Sequence, residues 1–230
     1  MTTLTIPARF NGPTGKGNGG YSAGLLAAEL AGPAVVSLRS PVPLDTPLDL
    51  VPADGAVRAF DGETLVAEAE PAPALELDVP GPVSGAEARA AMESYASPLE
   101  SPFSRCFVCG PAREDSMEVF AGRIPGRDGL VASTWTPPEW SAGEDGAVRP
   151  EFVWAALDCP TYWAVYEELV LAFLVRQEVE IEAPIVAGTE YVLISWPLAM
   201  DGRKRAAGAA VLGAGGAVLA RGEALMVEPR

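Results

Sequence analysis

Hydrophobic positions follow two different spacings along the chain, and these predict helices that are each followed by strands. Apolar side chains cover most of the circumference of the segment from Tyr21 to Ala31, whose only charge is Glu29. Asn18 is placed to cap this helix, and Gly32-Pro33 is placed to end it. Because so apolar a helix cannot face solvent, we expect a sheet to wrap around it.

From Ala34 onward the spacing becomes that of β-strands, predicted over 35–42, 48–51, 57–60 and 65–68. Asp54-Gly55 and Asp61-Gly62 separate the last pieces and are typical of hairpin turns. The first third of the chain therefore predicts one helix and an antiparallel meander.

The second half repeats this plan after a proline-rich linker, predicted over 71–105 with a short helix near 85–95. A helix is predicted over 151–170, and strands over 117–120, 130–135, 173–181, 191–198, 206–212 and 218–227. The order of elements indicates a duplicated unit. We place the first unit at 1–97, with the linker from about 71, and the second at 98–230.

Two helix-plus-sheet units of this kind predict an α+β fold, in which two antiparallel sheets each wrap around a central helix. Joining the sheets edge to edge would remove two exposed strand edges. It would also leave a crevice where the two helices face each other.

The amino-acid composition excludes several kinds of catalysis and of binding partner for such a crevice. The chain has no histidine, which excludes Ser-His-Asp and Cys-His catalysis and a His-ligated metal. Its formal charge of −15 argues against a nucleic-acid partner or an anionic membrane surface. No stretch predicts a secretory signal or a membrane span, and a cytoplasmic location is expected.

One motif connects the chain to a known family. The segment Cys106-Phe-Val-Cys109-Gly110-Pro111, followed by Gly129-Leu-Val-Ala-Ser-Thr-Trp135 and Ala155-Ala-Leu-Asp158, resembles hotdog-fold thioesterases of the phenylacetyl-CoA thioesterase type. The Asn18-Gly19-Gly20 opening of the first helix is similar to that family's His-Gly-Gly triplet. The resemblance implies that the chain is a double hotdog.

The resemblance also implies that the two halves have kept different parts of the site. The first half keeps the glycine pair but has Leu26 where the family has its acid, and the second keeps Asp158 but has Arg149-Pro150-Glu151 in place of the triplet. One composite site would then cleave an acyl-CoA or acyl-carrier thioester. Asp158 would attack the carbonyl or activate water, and would stay ionised because it faces a helix N-terminus.

The remaining site residues follow from the same comparison. The amides of Gly20 and Tyr21 would stabilise the developing oxyanion, while Asn18, Gly19, Thr161 and Tyr162 would bind or orient the substrate. No cofactor is expected. Pairing of two chains into a homodimer of double hotdogs is expected from the family.

Three alternatives stand beside this hypothesis. Asp158 could be an ordinary N-cap of a helix whose first turn contains Pro160. The chain could also be a non-catalytic protein that binds an acyl thioester or another small ligand, or a structural partner in an assembly.

Cys106 and Cys109 have the spacing of half a zinc knuckle, but only Cys159 remains as a further thiol, so no metal is expected.

Overall fold

Helices form where the hydrophobic pattern predicts them. The computed structural model describes residues 2–229, and its α-helices are α1 (Gly19–Ala27), α2 (Gly85–Met92) and α3 (Pro150–Val165). Asn18 caps α1 as predicted, because its Oδ1 accepts a hydrogen bond from the Tyr21 N–H at 2.8 Å. Ser84 and Glu87 form a reciprocal capping box at the start of α2.

The strands of residues 2–229 form one antiparallel sheet of eleven members in the order β1-β3-β4-β5-β2-β8-β11-β10-β9-β7-β6. They are β1 (Thr2–Thr5), β2 (Ala34–Leu38), β3 (Pro47–Ala53), β4 (Ala56–Asp61), β5 (Thr64–Pro71), β6 (Gly122–Arg123), β7 (Val131–Trp135), β8 (Phe173–Ile181), β9 (Tyr191–Asp201), β10 (Lys204–Leu212) and β11 (Val218–Val227). The fold is therefore α+β, as predicted.

A short seam joins the strands of the first half to those of the second. Strand β2 pairs with β8 through only three residue pairs, Val35–Glu178, Val36–Gln177 and Ser37–Arg176. Each of the two strands has its other edge covered by a strand of its own half, β5 for β2 and β11 for β8. The edge-to-edge junction expected from the sequence is present at this seam.

Helices α2 and α3 lie on opposite faces of the sheet. Along β10, Ala209 and Val211 belong to the core that contains α3, whereas Ala210 and Leu212 pack with residues of α2. Because successive strand residues point to opposite faces, α2 covers the face away from α3. Helix α1 packs on β2 and β5 and also contacts α3.

Helices α1 and α3 cross with almost no side chain between them. A Cβ atom at Gly20 would lie 2.6 Å from Asp158 Cβ and 2.6 Å from the Trp154 carbonyl oxygen. At Gly24, one turn further along, it would lie 2.7 Å from Glu151 Cα and 2.9 Å from Trp154 Cβ. The crossing therefore requires glycine at both positions.

Several predicted boundaries were wrong. Residues 117–120 are not a strand: Glu118 has a φ of 55°, and Met117 and Val119 donate to the carbonyls of Phe107 and Val108. Helix α1 ends at Ala27 instead of Ala31, since tighter bonds from Glu29 and Leu30 to the carbonyls three residues before them replace the α-helical pattern. Strand β1 was not predicted.

Helix α3 also differs from the helix predicted over 151–170. It ends at Val165 instead of Val170, and it continues through Pro160. Asp158 therefore lies inside the helix, and its interpretation as an N-cap was wrong. The unit boundary at residues 97 and 98 stays a prediction.

The helix crossing gives a first testable prediction. Gly24→Ala should lower the free energy of unfolding by about 1–3 kcal/mol, because its methyl group must push α3 away. Urea denaturation followed by circular dichroism measures this loss. Gly85→Ala is the matched control, since its Cβ would meet nothing closer than 3.8 Å. Equal stability of the Gly24→Ala variant and the unaltered chain would contradict the close crossing.

Candidate active site

Asp158 on α3 meets the N-terminus of α1. The Gly20 N–H donates to Asp158 Oδ2 at 3.0 Å, and the two residues are 138 positions apart in the sequence. Asp158 is only 6% exposed. The crossing thus places one buried carboxylate from the second half against one backbone amide from the first half.

Burial dominates the protonation of this carboxylate. It raises the pKa of Asp158 to about 7, against the lowering effect of the Gly20 hydrogen bond. Negative charge on Cys106 raises the pKa further. The N-terminus of α1 favours the ionised form through the Gly20 amide, but this single amide does not offset the loss of water around the carboxylate.

The amides in the first turn of α1 are not equally available to a ligand. The Gly20 N–H is bonded to Asp158, and the Tyr21 N–H is bonded to Asn18 Oδ1. The Gly19 N–H has no hydrogen-bond partner among residues 2–229. Gly19 also lines a cavity.

This cavity, of about 280 Å³, lies between the two halves. Asn18, Gly19, Asp158 and Tyr162, all predicted from the sequence, line it. Most of the remaining wall is apolar, with basic side chains among it; the lining includes Leu38, Val42, Phe103, Trp163, Ala172, Leu174, Val175 and Met226, together with Lys16 and Arg39. An apolar chamber with few polar groups is typical of a small-molecule site.

Three of the predicted residues do not reach the cavity with the groups assigned to them. Thr161 Oγ1 donates to the Asp158 carbonyl oxygen at 2.5 Å within the helix, and its side chain does not line the cavity. Tyr21 stacks on Phe10, with ring centroids 4.4 Å apart. The Gly20 N–H already donates to Asp158 Oδ2, so it is not available to a molecule in the cavity.

Tyr162 contributes its ring but not a free hydroxyl. The hydroxyl donates to the Val170 carbonyl oxygen at 2.5 Å and accepts from the Val170 N–H at 2.6 Å. Burial raises the pKa of Tyr162 to about 12. The side chain therefore closes the loop after α3 and forms part of the cavity wall.

The three cysteines lie together, which their positions in the sequence did not predict. Cys106, Cys109 and Cys159 all line the cavity, and their Sγ atoms lie within 4.8 Å of one another. Hydrogen bonds from the Cys109 and Cys159 thiols hold the pKa of Cys106 well below its ordinary value. The spacing of Cys106 and Cys109 predicted their proximity, but nothing in the sequence brought Cys159 to them.

Comparison with solved structures identifies the fold. A hotdog-fold protein of unknown function from Alicyclobacillus acidocaldarius has a TM-score of 0.63 at 13% identity, covering 99% of this chain and 92% of that one. A tesB protein of Mycobacterium avium subsp. paratuberculosis has a TM-score of 0.59 at 15% identity, over 99% and 91%. A proposed thioesterase of Novosphingobium aromaticivorans has a TM-score of 0.61 at 12% identity, over 99% and 95%.

These neighbours cover nearly the whole chain, so this chain has the hotdog fold. The resemblance noted from the sequence is thereby confirmed at the level of the fold. Neither a family model nor a curated protein matches the sequence. Within residues 2–229, no helix combines the length and the apolar character needed to cross a membrane.

The cap of α1 provides a second testable prediction. Asn18→Ala should lower the free energy of unfolding by about 1 kcal/mol, because the Tyr21 N–H loses its acceptor in a buried place. Asn18→Ser should retain most of that stability, since Ser also caps helices well. Urea denaturation compares the two variants, and an equal loss in both would show that the cap is not what Asn18 contributes.

Proposed function

We propose that the chain is a double hotdog whose two units, 1–97 and 98–230, share one site that hydrolyses an acyl-CoA thioester. The matching positions of α1 and α3, each followed by a run of antiparallel strands, support the two units. The observation that carries the proposed activity is the hydrogen bond of 3.0 Å between the Gly20 amide and Asp158, beside an apolar cavity.

The site is composite and occurs once. In the pseudosymmetric arrangement, Ala27 lies as far from the first residue of α1 as Asp158 does from that of α3, so Ala27 and not Leu26 is its counterpart, and neither of these two α1 residues carries a carboxylate. The start of α3 carries Arg149, Pro150 and Glu151, and proline has no amide proton to donate. Of the two pseudosymmetric ends of the helix pair, the one formed by the N-terminus of α1 and Asp158 is the end that combines an amide with a carboxylate.

In the proposed reaction the Gly19 N–H donates to the thioester carbonyl oxygen. This interaction strengthens as the oxygen becomes negative in the transition state. Gly19 takes this role because the amides of Gly20 and Tyr21, first assigned to it, already have partners. The positive end of α1 adds to the stabilisation.

Asp158 acts as the general base. Its Oδ2 is held by Gly20, so Oδ1 accepts a proton from a water molecule while the water oxygen bonds to the carbonyl carbon. The carbon–sulfur bond then breaks, and the departing thiolate takes a proton. The products are a carboxylic acid and a free thiol.

The cavity wall supports a thioester of a large anionic carrier. Leu38, Val42 and Leu174 offer apolar surface to the acyl group. Lys16 is exposed and Arg39 is half-exposed at its side chain, and both line the same cavity. Their positive charges suit the phosphates of coenzyme A. The cytoplasmic location and the homodimer remain predictions.

The decisive variant is Asp158→Asn. It should lower kcat/KM for acyl-CoA hydrolysis by about 10²–10⁴-fold, because the amide cannot accept the proton from water. Release of free thiol from a panel of acyl-CoA esters measures the rate. Glu151→Gln is the matched control, since Glu151 is also a buried carboxylate on α3 but does not line the cavity; its rate should match that of the unaltered chain.

The same assays distinguish the catalytic proposal from a binding protein. Thermal stabilisation by acyl-CoA esters without release of thiol would assign the cavity to binding alone. Unchanged turnover in the Asp158→Asn variant would remove Asp158 from the mechanism.

A further inference from the structure

All three cysteines of the chain meet at one end of the cavity. Cys106 and Cys109 belong to the loop between α2 and β6, whereas Cys159 lies on α3, 53 residues after Cys106. The three Sγ atoms lie within 4.8 Å of one another, and those of Cys106 and Cys159 are 3.9 Å apart. The proposed hydrolysis uses none of them.

We propose that these three thiols bind one Zn²⁺ ion as thiolates, with the fourth coordination position facing the cavity. A tetrahedral zinc site with Zn–S bonds of about 2.3 Å separates its sulfur atoms by about 3.8 Å. The separation of 3.9 Å between Cys106 and Cys159 fits this requirement. Cys109 Sγ lies no more than 4.8 Å from the other two sulfur atoms, which is at most about 1 Å beyond that spacing.

The loop is shaped to present Cys106 as a ligand. The Val108 N–H donates to Cys106 Sγ at 3.4 Å, and Asn18 Nδ2 approaches the same sulfur at 3.8 Å. The turn closes through a hydrogen bond of 2.9 Å from the Gly110 N–H to the Cys106 carbonyl oxygen, and a Cβ atom at Gly110 would lie 2.5 Å from that oxygen. The hydrogen bonds that Cys106 Sγ accepts from Val108 and Asn18 orient it as a metal ligand and favour its thiolate form.

Convergence of all three thiols favours a metal over the two simpler explanations. A disulfide would join two sulfur atoms and leave the third without a role. Cysteines that serve only as small apolar core residues need not lie together. A Cys-x-x-Cys turn with a third thiol from a helix is instead a set of soft ligands of the kind that Zn²⁺ takes.

The fourth coordination position of the proposed Zn²⁺ ion is open to a bound molecule, because the cavity adjoins the three thiols. Cys106, Cys109 and Cys159 line the cavity together with Asp158. Three protein ligands with one exchangeable position are characteristic of zinc sites that act on a bound molecule. Each thiol loses its proton to solvent as its sulfur–zinc bond forms. The centre then carries one net negative charge, and Lys16 and Arg39 line the same cavity.

The test uses the full chain, reduced with a phosphine and freed of metal by a chelator. Co²⁺ serves as the optical probe, and Zn²⁺ competes with it. We expect one Co²⁺ per chain, with thiolate-to-cobalt charge-transfer bands and the strong visible bands of a tetrahedral site, all of which Zn²⁺ abolishes. A thiol reagent should modify all three cysteines without metal and none after one equivalent of Zn²⁺.

Variants locate the site. Cys106→Ser and Cys159→Ser should each weaken Zn²⁺ affinity by more than about 100-fold, because each removes a ligand. Ser97→Ala is the control, since Ser97 lines the cavity outside the thiol cluster, and its affinity should be unchanged. If a serine variant does not fold, the count of protected thiols in the unaltered chain decides the question.

The proposal is overturned if Zn²⁺ shows no saturable binding, if both serine variants keep full affinity, or if only Cu⁺ binds. None of these measurements involves substrate turnover. Failure of the metal proposal would therefore not decide against the proposed hydrolysis, and absence of hydrolysis would not decide against the metal site.

Discussion

The contact on which the rest of the structure depends is the crossing of α1 and α3 at Gly20 and Gly24. The backbones approach so closely that a single methyl group at either position would overlap atoms of α3. This closeness removes water from between the halves and brings an amide of one within 3.0 Å of a carboxylate of the other. The buried Asp158, its raised pKa and the cavity beside it all follow from that approach.

The repeating plan of the fold could be predicted from local pattern, and its exceptions have physical causes. Strands such as Phe173–Ile181 and Val218–Val227 have the predicted bounds, because alternation and flanking turns define them locally. The segment at residues 117–120 has the composition of a strand, yet it pairs with the loop at Phe107 and Val108. That pairing depends on a tertiary contact that periodicity does not contain.

The candidate site was predictable in its central pair and less so around it. The family resemblance indicated that Asp158 would face the helix beginning at Asn18, and the structure brings them together. It did not indicate that Thr161 would bond to its own helix, or that Gly20 and Tyr21 would already have partners. The meeting of Cys159 with Cys106 depends on where α3 lies against the loop, which no spacing along the chain encodes.

The continuous sheet that crosses the β2–β8 seam has a consequence for how such a site can change. In an assembly of two identical chains, any substitution is copied into both symmetry-related sites, so a residue needed at one end must be tolerated at the other. Here the two helices belong to one polypeptide, and Ala27, the counterpart of Asp158 on α1, carries no carboxylate, whereas Asp158 faces the cavity. One end is thus free to serve packing alone while the other keeps a buried carboxyl group that is costly to ionise.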